Sequence, residues 1–482
     1  MRQTSFFYRR WLAAGPNMPA DPVGVGVILL STQIAQTRRV IAQLSPQISD
    51  TQTIWVRAES EDSIIAAFSG CPNVRPFSAF LSLELNDDTP DYVYVTRDDA
   101  LTHAGFLAQL MRGAERAHAD LVYGDDDLLR DGARCLPQFK PCFDPILLDA
   151  YDYIGPNFLL RSRLLRIHPD LLDNKSALRM NASLSVAHVA FVGVSRYDRQ
   201  QLLSNDVRPT SNNRRHFSFV IPTKSQPALL KNLIEQIFAL ECLGRIDLVV
   251  LNNADEASKT HDLLDELKRS NPQIAVQDVF RVFNWSQVNN QGARACSGEI
   301  LVFLNDDMTL LKRDVLDQLD ANFNDPEVGI VGGLLTFPSG QIQHAGVVIG
   351  MGGFADHIYR DCTLGQCDSA PFVAPGVRRT VSAITGAFMA VRRDLFERLG
   401  GFDEALRYSG DVEFCVRARG AGFRTVYDPS IRFTHHESLT RGADNLSETE
   451  KKALVERIQF DEGDPYYHPR LSVRSRYPVP EV

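Results

Sequence analysis

No stretch of the 482 residues approaches the roughly 20 consecutive apolar residues that a membrane-spanning helix needs. Basic excess is missing too: 51 Lys and Arg face 60 Asp and Glu, and the net charge of -9 offers nucleic acid no overall attraction. The eight cysteines are scattered, and the closest pair, Cys362 and Cys367, has no second pair or flanking histidines at zinc spacing. They read as reduced thiols of a cytoplasmic protein. Residues 1–16 (MRQTSFFYRRWLAAGP) lack the long apolar core of a secretory signal. Their mixture of aromatic and basic side chains fits a helix docked on its own domain, or peripheral contact with an anionic membrane surface.

What is present is an ordinary globular composition, 44% apolar and 23% charged, in a chain longer than one core supports. Two domains are therefore expected, 1–205 and 206–482, joined through the polar stretch 204–215 (SNDVRPTSNNRR). In the second, FSFVIP (217–222) reads as a strand, and Leu229, Leu230, Leu233, Ile234, Ile237 and Phe238 mark a helix. Strands at 247–251 and 300–304 flank a further helix at 260–269. This alternation predicts an α/β fold: two Rossmann-like domains with mostly parallel central sheets. The first half repeats the plan, with strands at 25–30 and 53–56 around a helix at 35–44.

Spacing argues for duplication. Asp99, closing TRDD, precedes Gly132 by 33 residues, and Asp307, closing LNDD, precedes Gly340 by the same 33. Ile154-Gly155 then pairs with Thr385-Gly386, at 23 residues beyond the first glycine turn and 46 beyond the second. The extra segment, around 351–378, includes the Gly-rich MGGFADH and is a candidate lid.

Asn305, Asp306 and Asp307 follow the strand at 300–304, at the carboxyl edge where open α/β sheets bind ligands. Adjacent carboxylates there suit a hard divalent cation and the phosphates it would hold, although such a pair also serves as a plain helix cap. The surrounding blocks decide between these: VIPTK (220–224), FNWSQVNNQGA (283–293), GEILVFLNDD (298–307), GQIQHAGVVIG (340–350), TGAFMAVRRDLFERLGGFDE (385–404), DVEFCVR (411–417) and HHES (435–438). In this order, over about 220 residues, they resemble the family 2 glycosyltransferases that build bacterial surface polysaccharides, the O-antigen and rhamnosyltransferase-like group.

The resemblance implies the GT-A fold, a nucleoside-diphosphate sugar as donor, Mn2+ or Mg2+ as cofactor, and a glycan or lipid-linked glycan as acceptor. It puts Asp307 and His435, or its neighbour His436, at the metal, and Asp411 in the role of general base for an inverting hexosyl transfer. It sets Pro222, Thr223, Asn252, Asn253, Asn290, Asn305 and Asp306 around the donor. Many relatives carry aspartate where this chain has Asn252, so the identity of the base is open. Trp285 and Phe283 read as core rather than as sugar platforms.

In the first half Arg97 stands beside Asp98 and Asp99, where a guanidinium competes with a metal, and Lys175 stands where the second half has Glu413. Asp173 precedes Arg179 by six, as Asp411 precedes Arg417. This half is expected to be a degenerate GT-A-like domain. Two alternatives are a non-catalytic carbohydrate-binding or scaffold protein, against which the retention of Asp307 and Asp411 argues, and a sugar nucleotidyltransferase, which needs a basic Gly-rich loop that IPTKSQPALL does not supply.

Overall fold

A computed structural model gives the fold, and it describes residues 8, 12, 22–83, 89–173, 175, 178, 184–197, 215–240, 246–253, 259–271, 273–279, 283–436, 447–458 and 463–481. The predicted linker lies outside the described residues except for Arg215, whose guanidinium pairs with Asp320 at 2.5 Å.

In the first half, β1 (Gly26–Leu30), β2 (Ile54–Arg57), β3 (Val74–Pro76), β4 (Tyr92–Arg97), β5 (Ala100–Thr102), β6 (Leu121–Arg130), β7 (Ala133–Gln138), β8 (Phe158–Arg161) and β9 (Val186–Arg196) make one sheet. Its order is β3-β2-β1-β4-β8-β6-β9-β5, with β7 on β6. The second half holds β10 (Phe217–Thr223), β11 (Ile246–Asn252), β12 (Ile274–Asp278), β13 (Ile300–Leu304), β14 (Met308–Leu310), β15 (Val328–Thr336), β16 (Ile342–His344), β17 (Val347–Ile349), β18 (Ala355–His357), β19 (Arg379–Thr380), β20 (Phe388–Arg392) and β21 (Arg424–His435). Its main sheet runs β12-β11-β10-β13-β20-β15-β21-β14, the same permutation, with β16 on β15 and β19 on β21. The duplication read from spacing is thus a duplication of topology.

Both sheets have a parallel block, β3-β2-β1-β4 and β12-β11-β10-β13, followed by a mixed half entered through an antiparallel strand, β8 or β20. Parallel blocks need cover on both faces, and β10 is accordingly buried at every position. The Gly turns fall between β6 and β7 and between β15 and β16, where Gly132 (φ 74°) and Gly340 (φ 83°) take the left-handed conformation.

The extra segment, the candidate lid, lines the cleft beside Asp411 through Phe354, Ala355, Asp356, His357 and Arg360, and it also packs between the halves. Ile358, Tyr359, Phe372 and Val373 are buried, and the Phe139 N–H of the first half donates to the Pro371 carbonyl at 2.8 Å. Segment 351–378 thus contributes apolar side chains and a backbone acceptor to the packing between the halves. Tyr8 of the N-terminal stretch is buried with its hydroxyl on Asp127, which agrees with the docked reading.

Two polar clasps join the halves. Asp144, at the N-cap of the helix Pro145–Ala150, accepts from the Thr380 N–H and hydroxyl, both at 2.7 Å. His468 of the C-terminal region reaches Asp125 on β6, Nε2 to Oδ2 at 2.8 Å. Removing a buried charged acceptor strands its donors. Asp144→Ala should cost the full chain about 3 kcal/mol in urea unfolding. Asp173→Ala, which breaks only an exposed pair with Arg57, should cost less than about 1 kcal/mol.

Candidate active site

The register of the parallel block lines up Thr223, Asn252 and Asp278 at the carboxyl ends of β10, β11 and β12. Thr223 donates its hydroxyl to Asp306 Oδ2 at 2.7 Å, and Asn252 donates Nδ2–H to Asp278 Oδ1 at 2.8 Å. The result is a hydrogen-bonded row, Asp306, Thr223, Asn252, Asp278, along one edge. Burial, reinforced by the neighbouring Asp307 carboxylate, pushes the Asp306 carboxyl up to about 6, against the pull of the Thr223 hydroxyl and the Lys224 N–H. Pro222 lies beyond Val220, where the ladder from β10 to β13 stops, so a proline is tolerated in this central strand. The Asn253 N–H donates to the Thr223 carbonyl at 2.9 Å and closes the end of the row.

Asn290 is elsewhere. Its Nδ2 donates to the Phe402 carbonyl at 2.8 Å and its Oδ1 accepts the Phe402 N–H at 2.9 Å. The amide is committed to the loop that leads to Asp411, which corrects its placement among donor contacts: the structure shows it holding backbone.

His435 meets Asp307 because β14 pairs antiparallel with the end of β21, Met308 opposite His435. Nε2 lies 3.0 Å from Asp307 Oδ1 and 3.4 Å from Asn305 Nδ2, while Nδ1 is 2.8 Å from Gln343 Oε1. With the Gln343 oxygen accepting, Nδ1 carries a proton and Nε2 is the ring atom that faces Asp307. His436 turns the other way, its Nε2 3.0 Å from the Thr309 hydroxyl. Two ligands bound to one ion by bonds of about 2.1 Å at right angles lie roughly 3 Å apart, so Asp307 and His435 fit a divalent cation.

Among the described residues, the group of three potential metal ligands is Asp125, His188 and His468. Its hydrogen bonds favour a different role. His468 Nδ1 accepts the Arg470 N–H at 3.0 Å, so the ring proton sits on Nε2 and is given to Asp125. His188 Nε2 and the Lys140 N–H, each at 2.9 Å, meet the other carboxylate oxygen. Burial raises the Asp125 carboxyl, but the two imidazoles outweigh it and hold it well below the usual carboxylate range. A metal would have to displace the Nε2 proton that makes the clasp.

Asp411 sits in the first turn of the helix Gly410–Gly420, on the wall of a cleft of about 290 Å³ that Trp285, His357, Gly386, Ala387 and Tyr408 also line. Its Oδ2 accepts the Gly386 N–H at 2.6 Å and its Oδ1 the Val412 N–H at 2.8 Å. One residue on, the Ala387 carbonyl accepts the Asn305 N–H at 3.0 Å. Gly386 and Ala387 therefore tie Asp411 directly to the acidic motif. A Cβ on Gly386 would lie 2.2 Å from the Trp285 ring. Trp285 itself is core, 4.7 Å from Phe402 between ring centroids. Glu450, which sequence reasoning did not single out, accepts from the N–H groups of Tyr408 and Ser409 at 2.6 and 3.0 Å and fixes the turn before Asp411. Nor did sequence reasoning assign His357, whose Nδ1 is 2.9 Å from that of His344.

The first half differs at each matching place. Arg97 pairs with Asp99 at 3.2 Å, and Arg196 takes the register position of His435 and binds Asp126 at 2.8 Å. Asp98 accepts from Thr32 and the Gln33 N–H. Asp173, the spacing match of Asp411, points outward with its side chain 62% exposed.

The profile described as "Glycosyltransferase like family 2" matches residues 214–454. The O-antigen biosynthesis protein RfbC of Myxococcus xanthus is 32% identical over 403 residues, 73% of this chain and 31% of that protein. The uncharacterized protein y4gI of Sinorhizobium fredii is 32% identical over 271 residues, 53% of this chain and 29% of that one. The chain thus spans about a third of the length of these curated relatives. Among solved structures, a mannosyltransferase of Pyrobaculum calidifontis in complex with GDP-Man and Mn2+ aligns with 17% identity and a TM-score of 0.36, over 53% of this chain and 72% of that one. With half of its length matched by the family profile, from before β10 through the Asp411 helix and past His435, this chain belongs to glycosyltransferase family 2.

Proposed function

We propose that the second half is an inverting, metal-dependent hexosyltransferase that moves a sugar from a nucleoside diphosphate to a hydroxyl of a glycan or lipid-linked glycan, in the synthesis of a bacterial surface polysaccharide. The observation that carries this reading is the tie through Gly386 and Ala387 between Asp411 in its cleft and the acidic motif. Such a tie fixes a proton acceptor and a phosphate-side cation site relative to each other, as a displacement at one carbon requires.

Asp307 and His435 would hold Mn2+ or Mg2+, which neutralises charge developing on the departing diphosphate. Asp306 and Thr223 position the donor from the ends of the central strands, with Pro222, Asn252, Asn253 and Asn305 around them. Asp411 takes the proton of the acceptor hydroxyl while the hydroxyl oxygen bonds to the anomeric carbon. The bond from that carbon to the diphosphate oxygen breaks, the nucleoside diphosphate leaves, and the anomeric centre inverts. The first half, with guanidinium groups at its metal positions, packs against the second through segment 351–378 and supports it.

Asp411→Asn should lower turnover on the order of 1,000-fold while leaving metal-dependent nucleotide binding within about twofold. Asp307→Ala should weaken that binding at least roughly 10-fold, the lower range of loss for removing even an outer-shell metal partner. Both are read by calorimetry with a panel of nucleotide sugars and by product formation. Full activity in both variants would remove the site from the second half.

Gly386→Ala forces its new methyl into Trp285 and should cost about 1–3 kcal/mol together with a loss of turnover, as the N–H that holds Asp411 shifts. Adding Trp285→Leu should recover part of both losses. Independent, additive effects in that double-mutant cycle would contradict the account.

A further inference from the structure

The row at the carboxyl edge extends one strand further than the donor residues read from sequence. Asp278 closes β12 directly opposite Asn252, and the two are joined by the 2.8 Å bond from Nδ2–H to Oδ1. The amide orientation is forced: with the amide reversed, two oxygens would face each other at that distance. Asn252 therefore points its nitrogen at β12 and holds an exposed carboxylate at the end of the row.

The row has a polarity. Asp307 and His435 mark its cation end beside β13, and Asp278 lies three strand spacings away, roughly 14 Å at 4.7–4.9 Å per strand. A nucleotide with its diphosphate at the cation end runs across β10 and β11, so its base lies toward β12. The first half supplies an internal contrast. Continuing β1 and β2 by one residue puts Ser31 and Ala58 at the places of Thr223 and Asn252, and beyond Pro76 the chain has already turned into the helix Phe77–Leu81 where the second half has Asp278. The half that has arginines at its metal positions also lacks the amide and the carboxylate.

We infer that Asp278, oriented by Asn252, reads the nucleotide base and selects those with a ring imino N–H. A carboxylate only accepts hydrogen bonds. Uracil and thymine offer N3–H, and guanine offers N1–H together with its exocyclic amine, two donors for two oxygens. Cytosine and adenine present a ring-nitrogen lone pair in that place, beside a single exocyclic amine, so the carboxylate gains one donor but meets a lone pair where the imino N–H would be. The charge that Asn252 lacks is thus returned from the neighbouring strand.

This inference rests on the donor-site reading above, and the test separates the two. UDP, dTDP, GDP, CDP and ADP are titrated calorimetrically into the full-length protein with Mn2+. At least one imino-bearing nucleotide should bind 10-fold or more tightly than both CDP and ADP. Asp278→Ala should compress that ratio to within about threefold with an unchanged melting temperature, because the side chain is exposed. Asp278→Asn, whose amide can rotate to donate to cytosine N3, should raise CDP affinity. Nucleotide binding with no base preference, or a ratio untouched by Asp278→Ala, overturns the base-reading role alone. Absence of Mn2+-dependent binding for all five overturns the donor site and this inference with it.

Discussion

Two backbone hydrogen bonds made by consecutive residues set the geometry of the second half. The Gly386 N–H holds Asp411, and the Ala387 carbonyl receives the Asn305 N–H, so the cleft and the acidic motif are positioned by one rigid stretch at the start of β20. That stretch is possible because residue 386 has no side chain. The Trp285 indole occupies the space a Cβ would take, and Trp285 is itself locked among Phe303 and Phe402. Core packing, rather than the flexibility of a loop, thus fixes where the proposed base stands.

The two halves show how far one topology can diverge in its chemistry. Their strand orders are identical, yet matching positions carry Asp307 with His435 in one and Asp99 with Arg97 and Arg196 in the other. On β6 the run Asp125, Asp126, Asp127 is partnered residue by residue: Asp125 by the imidazoles of His188 and His468, Asp126 by Lys140 and Arg196, and Asp127 by Arg134. All of these partners but His468 come from the first half itself.

Much of this was legible in the chain. Central strands stand out as unbroken apolar runs, and the equal spacing of acidic pairs and glycine turns carries the duplication in the sequence itself. Residues at strand ends, Thr223, Asn252, Asp306 and Asp307, were placed correctly at the carboxyl edge because strand ends follow from local pattern. Asn290 was not, since its partner Phe402 is 112 residues away and no local signal reports it. Asp278 escaped for the opposite reason: a lone aspartate after a weakly patterned strand acquires meaning only when β12 is seen to pair with β11. The glycines of segment 351–378 suggested mobility, whereas the buried Ile358, Tyr359 and Phe372 among them decided its structure.

The clasp between His468 and Asp125 spans 343 positions of the chain. During synthesis, β6 would emerge with Asp125 lacking one of its two imidazole partners until almost the whole second half had followed. The first half therefore completes its polar interior last, although it is made first. A contact of such high sequence separation makes the final docking step slow and leaves the early intermediate exposed to aggregation.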